Sequence, residues 1–227
     1  MAVITISRQV GSGGDQIARR LCELLGYRYF DKTLMAQVAR EQGISDTEAV
    51  DFSEDSYRVR GFIDALLRRT KRVATATTVG TTTRGERTSL VQDVDEEMAV
   101  SFVRAAIRAL RVQGQVVVVG RGGQAVLRDA ADALHVRIIA RLEDRLHEVT
   151  QAEGLTREAA SALIEERDQA TAEYLRRFHG VEWADPSLYH LTVNCSLLSR
   201  EAALDLLAAA ARRIDARLTG VQATAAA

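Results

Sequence analysis

The sequence predicts an α/β fold in which about five strands alternate with helices and form a parallel sheet covered on both faces. Three observations lead there. Short apolar runs recur along the 227 residues, and the most regular, Val116 to Val119, is β-branched and continuous, as a strand buried on both faces requires. Longer stretches with apolar residues at helical spacing stand between the runs. The first run leads straight into Gly11-Ser12-Gly13-Gly14, a glycine-rich turn that opens a helix. In such sheets ligands gather at the carboxyl ends of the strands.

Each element has a local reason. Residues 3–7 alternate Val, Ile, Thr and Ile as a buried strand, and residues 15–25 carry Ile17, Ala18 and Leu21 on one helical face. Residues 27–30, Tyr-Arg-Tyr-Phe, form a second strand ending at Asp31. A helix over 32–42 stops near Gly43, and Ser45 and Asp46 offer caps for a short helix through Glu48. Residues 58–72 place Phe62, Ile63, Leu66 and Leu67 on one face beneath a basic outer surface. Residues 73–92 are threonine-rich and poor in large apolar side chains, so a mobile loop is expected. The helical period returns over 95–112, followed by strands at 115–120, 134–140 and 190–195 and helices at 143–153, 157–178 and 200–218. The alanine-rich residues 221–227 have nothing to bury and are expected to be a disordered tail.

Composition excludes several function classes. With 47% hydrophobic residues the chain can build a sizeable core, while a net charge of −1 lacks the basic excess that nucleic-acid polymers or a membrane surface would attract. Any anion site is therefore local. Cys22 and Cys195 show neither metal-ligand spacing nor a disulfide framework, which fits a reducing compartment and a cytoplasmic protein. No run reaches the roughly 18 apolar residues of a spanning helix.

The turn after the first strand resembles a phosphate-binding loop with altered chemistry. Against G-x-x-x-x-G-K-[ST], Arg8 stands at the first glycine, Gly13 at the second, Gly14 at the lysine and Asp15 at the hydroxyl residue. The backbone from Gly11 to Gly14 can still wrap amides around an anion at the start of the following helix. Arg8 is the nearest cation for the charge a lysine would have supplied, and Asp15 can meet Mg²⁺ or simply cap the helix. A dinucleotide fingerprint is the competing reading: Gly11 and Gly13 fit, Asp31 stands where a ribose-binding acid would, and Gln16 breaks the third position. A turn without a ligand is the third.

Taken together, several segments resemble the cytidylate kinase-like family of P-loop proteins. They are the run from Ile4 through Arg8 and Gln9 to Gly14, the stretch Leu25 to Lys32, Val119-Gly120-Arg121-Gly122-Gly123-Gln124, His135 to Ala140, and Trp183 to Tyr189 followed by Leu191 to Asn194. The resemblance spans nearly all of residues 3–212. It implies a three-layer P-loop fold with a helical lid, ATP as donor with Mg²⁺, and a pyrimidine monophosphate such as CMP as acceptor. One domain over 1–220 follows, with a helical acceptor-side insertion at about 32–112 and a lid at about 154–180. The resemblance places Gly11, Ser12, Gly13, Gly14, Asp15, Gln16, Arg141 and Arg145 at the donor nucleotide. It places Lys32, Arg121, Asp168, Arg176 and Arg177 at the acceptor, and Arg8, Asp31, Arg121 and Arg167 at the transferred group.

Two departures stand out. Relatives carry an arginine where this chain has Thr171, on the same helical face as Arg167, and Gly-Arg-Asp where it has Gly120-Arg121-Gly122. Arg137, inside a strand, reads as an edge or salt-bridged residue. A nucleotide-binding regulatory protein without turnover is the alternative function, and helices 58–72 and 95–112 can serve the core or a homodimer contact.

Overall fold

The computed structural model describes residues 1–30 and 87–225. Asp31, Lys32, the helices expected over 32–42, 45–48 and 58–72, and the threonine-rich stretch up to residue 86 lie outside the described residues. The elements are β1 (Val3–Arg8), α1 (Gly14–Leu25), β2 (Arg28–Phe30), α2 (Arg87–Gln113), β3 (Val116–Val119), α3 (Gly123–Val126), β4 (Ala133–Ile139), α4 (Leu142–Glu153), α5 (Arg157–His179), a 3₁₀ turn (Pro186–Leu188), β5 (Leu191–Asn194) and α6 (Arg200–Ala225).

All five strands are parallel, in the order β2-β3-β1-β4-β5. The fold is the expected α/β architecture, a five-stranded parallel sheet covered by helices on both faces. β1 sits at the centre, with Ile4 level with Val117 of β3 and with Leu134 of β4. The turn leaving β1 thus opens in the crevice where strand order reverses. Alternation along β1 sends Ile4 and Ile6 to one face, where they meet Ile17, Ala18 and Leu21 of α1 and Ala203, Leu207 and Ala211 of α6. Val3, with Val116 and Val118, faces the other way onto Val103, Ile107 and Leu110 of α2. A third cluster joins Leu146 and Val149 of α4 to Ala160 and Ile164 of α5, with Val10 of the loop packed against it. The α4 and α5 pair thereby rests against the loop itself.

Two helix limits differ from the sequence expectation. α2 begins at Arg87, inside the stretch assigned to a loop, because residues 87–92 hold no glycine or proline and an established helix extends at little cost. α6 continues to Ala225 beyond residue 218, into the region expected to be a disordered tail, because an established helix extends at little cost. The chain start is fixed to the α1 and α6 layer through Asp215, which accepts from the Ala2 amide at 2.6 Å and the Tyr27 hydroxyl at 2.5 Å. Burial, then the bond to Asp215, pushes the Tyr27 hydroxyl well above its ordinary pKa.

Beneath α3 the sheet carries a buried histidine. His135 donates from Nε2 to the Leu127 carbonyl at 3.1 Å, which leaves Nδ1 to accept from the Thr5 hydroxyl at 2.8 Å. His190 stacks on it at 5.0 Å and accepts from the His135 amide. Burial, then the neighbouring His190, pushes the His135 pKa down to about 4. The ring is neutral in the fold, whereas the unfolded chain takes up its proton near 6.5. Between those two values the unfolded state binds more protons, so stability is lost as pH falls. Thermal unfolding should show a loss of about 2 kcal/mol from this group between pH 7 and pH 5. A His135→Gln variant should show a correspondingly shallower decline.

Candidate active site

The loop is shaped by its own backbone. The Gln9 amide donates to the Ile138 carbonyl at 3.1 Å, and the Gln9 side-chain oxygen accepts from the Ala140 amide at 3.2 Å, so β4 holds the loop's first residue at both ends. Ser12 folds back on Gln9, donating from its amide at 3.2 Å and from its hydroxyl at 2.7 Å to the Gln9 carbonyl. The chain then turns through Gly13, left-handed at φ 81°, into α1. The wall of a cavity of about 310 Å³ contains residues 8–16 together with Arg19, Glu148 and Arg167. Arg8, Gly11, Ser12, Gly13, Gly14, Asp15 and Gln16 thus meet in one place. Arg167 joins them from α5.

The missing lysine has a steric counterpart. A Cβ at Gly14 would lie 2.5 Å from the Cβ of Arg8, so the two positions cannot both carry ordinary side chains in this geometry. Arg8 takes the space and leaves residue 14 bare. Its Nε donates to Asp15 at 3.1 Å, and Asp15 remains about half exposed at the mouth of the cavity.

Behind the loop lies an ion pair that sequence reasoning assigned to ligands. Arg145 donates from Nε to the Val10 carbonyl at 2.7 Å and from a terminal nitrogen to Asp168 at 2.5 Å, while Asp168 accepts from the Val10 amide at 3.1 Å. The Val10 peptide is gripped on both sides, and neither partner lines the cavity. Their side chains are 7% and 19% exposed, so either one alone would be a costly buried charge. Arg141 is exposed at the N-cap of α4, outside the cavity wall. Arg176 and Arg177 are exposed in the last turn of α5, with Arg177 over the Phe178 ring.

Thr171 corrects an expectation. It is 2% exposed, so the position expected to share Arg167's face toward phosphates points into the protein instead. The change in burial from intermediate Arg167 to buried Thr171 is invisible to spacing alone. Arg200, which no motif marks, was missed. From the first turn of α6 its guanidinium lies where a Cβ at Gly13 would come within 2.7 Å of Nε. It donates to Glu148 at 2.6 Å, and Gln16 donates to the same carboxylate at 2.8 Å. Burial works against the Glu148 charge, but the bonds from Arg200 and Gln16 outweigh it and hold the carboxyl below its ordinary range.

On the other side of β1, Arg121 sits at φ 58° after β3 with its guanidinium over the Phe30 ring at 5.0 Å. Gly122, also left-handed, has no room for a side chain because His179 of α5 fills the space where its Cβ would be. Burial, then the charge of Arg104, pushes the His179 pKa down to about 4, so the ring is neutral. Trp183 donates from its indole nitrogen to Ser7 at 2.7 Å, and the Tyr189 hydroxyl donates to the Trp183 carbonyl at 2.9 Å. Among the described residues no group of three or more His, Cys, Asp or Glu is arranged to hold a metal by itself, and no helix is long and apolar enough to cross a membrane.

The model of the cytidylate kinase-like family matches residues 3–197. A cytidylate kinase of Aeropyrum pernix is 28% identical over 92% of this chain and 98% of its own length. One of Methanopyrus kandleri is 27% identical over 92% of each chain. Among solved structures, an uncharacterized protein from Eubacterium ventriosum superposes with a TM-score of 0.61 at 18% identity, covering 93% of this chain and 99% of that one, and so shares the fold.

Two outcomes follow from the geometry. Gly13→Val should abolish ATP binding by calorimetry while leaving the circular dichroism spectrum intact, since a β-branched residue is strained at this φ and meets Arg200. Unchanged ATP affinity would remove the loop from the site. Thr171→Arg should destabilise by about 1–3 kcal/mol in denaturant titration, because a long side chain must enter a filled interior.

Proposed function

The chain belongs to the cytidylate kinase-like family, and on that premise we propose that it is a phosphotransferase moving the terminal phosphoryl group of ATP to CMP or a related pyrimidine monophosphate. The observation that carries this reading is the glycine loop at the carboxyl end of the central strand, with Arg8 packed into the space of the side chain that Gly14 lacks. Amides from Gly11 to Gly14 would hold the phosphate chain, aided by the positive end of α1. Arg8 and Arg167 bring cations to the cavity wall from two elements. Fixed positive charge around the transferred group stabilises it without reorganisation during the reaction.

Asp15 fits a magnesium role. Mg²⁺ is commonly bound through one or two carboxylates plus substrate phosphates, and Asp15 offers one exposed carboxylate beside the loop. Bound there, Mg²⁺ would supply positive charge that offsets the charge of the phosphates. Arg8 would release Asp15 and turn to phosphate on nucleotide binding. On the acceptor side Arg121 would meet the incoming phosphate. Asp31 and Lys32 follow directly on Phe30, whose ring lies under Arg121, and are assigned to orienting and binding the acceptor. Arg141, Arg176 and Arg177 remain exposed cations for the outer ends of the two ligands. The two free cysteines fit a cytoplasmic setting.

The acceptor preference follows from Gly122. With no carboxylate at that position and the neutral His179 in its place, base reading falls to uncharged groups, and discrimination among pyrimidine monophosphates should be modest.

Coupled assays should detect Mg²⁺-dependent phosphate transfer from ATP to CMP or UMP. Arg121→Ala should lower kcat by at least about tenfold, equivalent to about 1.4 kcal/mol of barrier, with a smaller change in the KM for ATP. Arg8→Ala should weaken ATP more than AMP, at a cost of roughly 1.5–3 kcal/mol for a lost charge-assisted hydrogen bond. Tight ATP binding with no transfer to any nucleoside monophosphate would make the protein a regulatory nucleotide binder instead.

A further inference from the structure

The sequence reading of Arg137 as an edge or salt-bridged residue does not hold. β4 lies inside the sheet between β1 and β5, with Arg137 level with Ser7 on one side and Thr192 on the other. Five other arginines of the described residues have carboxylates: Arg8 with Asp15, Arg111 with Asp132, Arg145 with Asp168, Arg157 with Glu143, Arg200 with Glu148. Arg137 has no carboxylate at ion-pair distance among the described residues. Its guanidinium instead lies over the rings of Trp183 at 5.1 Å and Tyr189 at 5.7 Å.

Stacking on ring faces does not use a guanidinium's hydrogen-bond donors, which all lie in its plane. The Nε of Arg137 is buried and makes no hydrogen bond. A partly buried guanidinium stays charged, and holding it without a counter-ion is costly unless an anion arrives from outside. A second buried atom in the same cluster is also unsatisfied. Gln124, 1% exposed, directs its amide nitrogen toward the Tyr189 hydroxyl at 3.5 Å and leaves its Oε1 without a donor. A cation that lacks an anion and an acceptor that lacks a donor meet around one tyrosine. Such pairs of unmet groups call for a ligand carrying both functions.

We propose that Arg137 anchors the phosphate group of a phosphate monoester bound between β4 and the Trp183–Tyr189 segment, with Gln124 accepting a hydrogen bond from the same ligand. This site rests on the acceptor side of the phosphotransfer reading and adds Arg137 to Arg121 as a residue that holds the acceptor's charge. Position supports the assignment. Ser7, level with Arg137, is followed directly by Arg8 and the loop, so an anion on Arg137 lies beside the loop's entrance and outside the loop cavity. The aromatic faces fix the guanidinium plane and leave its in-plane donors for phosphate oxygens, a match that a lysine cannot reproduce.

Calorimetry on the full chain with CMP, UMP, AMP, GMP, their nucleosides and inorganic phosphate tests this. At least one monophosphate should bind wild type at least about tenfold more tightly than its nucleoside. Arg137→Met, which keeps an unbranched stem against the rings, should erase that preference while ATP affinity stays within about twofold. Arg137→Lys should fall between them, and it carries the test if the methionine variant does not fold. Gln124→Leu should weaken the monophosphate and its nucleoside equally. The proposal is overturned if no monophosphate outbinds its nucleoside in wild type, if the preference survives in both Arg137 variants, or if inorganic phosphate binds as tightly as every monoester. Phosphate transfer to CMP that is unaffected in Arg137→Met would sink this site and leave the kinase reading standing. Arg137-dependent monophosphate binding without any transfer would do the reverse.

Discussion

The Val10 peptide is the point on which the site depends. Its carbonyl is held by Arg145 of α4 and its amide by Asp168 of α5, and these two side chains close on each other in a pocket that excludes most water. A buried ion pair of this kind is weak evidence of net stabilisation, since desolvation offsets much of the attraction. Its value lies in geometry. Removing either partner strands a charge, so both helices are committed to one position relative to the loop. The apolar cluster of Leu146, Val149, Ala160 and Ile164, with Val10 packed on it, reinforces the same arrangement.

Around that fixed point, absent side chains are explained by neighbours that fill their space. Gly14 is bare because Arg8 occupies the volume, and Gly122 is bare because His179 does. The lysine and the carboxylate missing from the two signatures are thus not simple losses. In each case a neighbouring side chain fills the space, the stem of Arg8 at Gly14 and a neutral imidazole at Gly122. The loop keeps a positive charge nearby, and the turn after β3 carries an uncharged ring.

The cations are distributed over separate elements: Arg8 on β1, Arg121 after β3, Arg137 on β4, Arg167 on α5 and Arg200 on α6. Two polyanions must be brought together in phosphoryl transfer, and charges on rigid, independently anchored elements can surround them without moving. Several are already engaged, Arg8 with Asp15 and Arg200 with Glu148, so a nucleotide bound as proposed would exchange internal ion pairs for external ones.

The sequence by itself determined the strand and helix succession, the parallel sheet and the loop after β1, because hydrophobic period and glycine placement are local properties of the chain. Residues 8 and 11–16 could be read as one site for the same reason. It could not decide which charged residues face ligands. Arg145 and Asp168, assigned to nucleotide and acceptor, bind each other and the backbone behind the loop, and Thr171 is buried where a phosphate-facing residue was expected. Arg137 looked like an edge residue until strand order placed β4 inside the sheet, and Arg200 carries no local signal at all. Contacts of this kind join residues 23 to 187 positions apart, as in Arg145 with Asp168 and Arg200 over Gly13. Only the packing of α4, α5 and α6 around the loop settles them, since a side chain's partner is fixed by where the helices lie and not by the residues beside it in the chain.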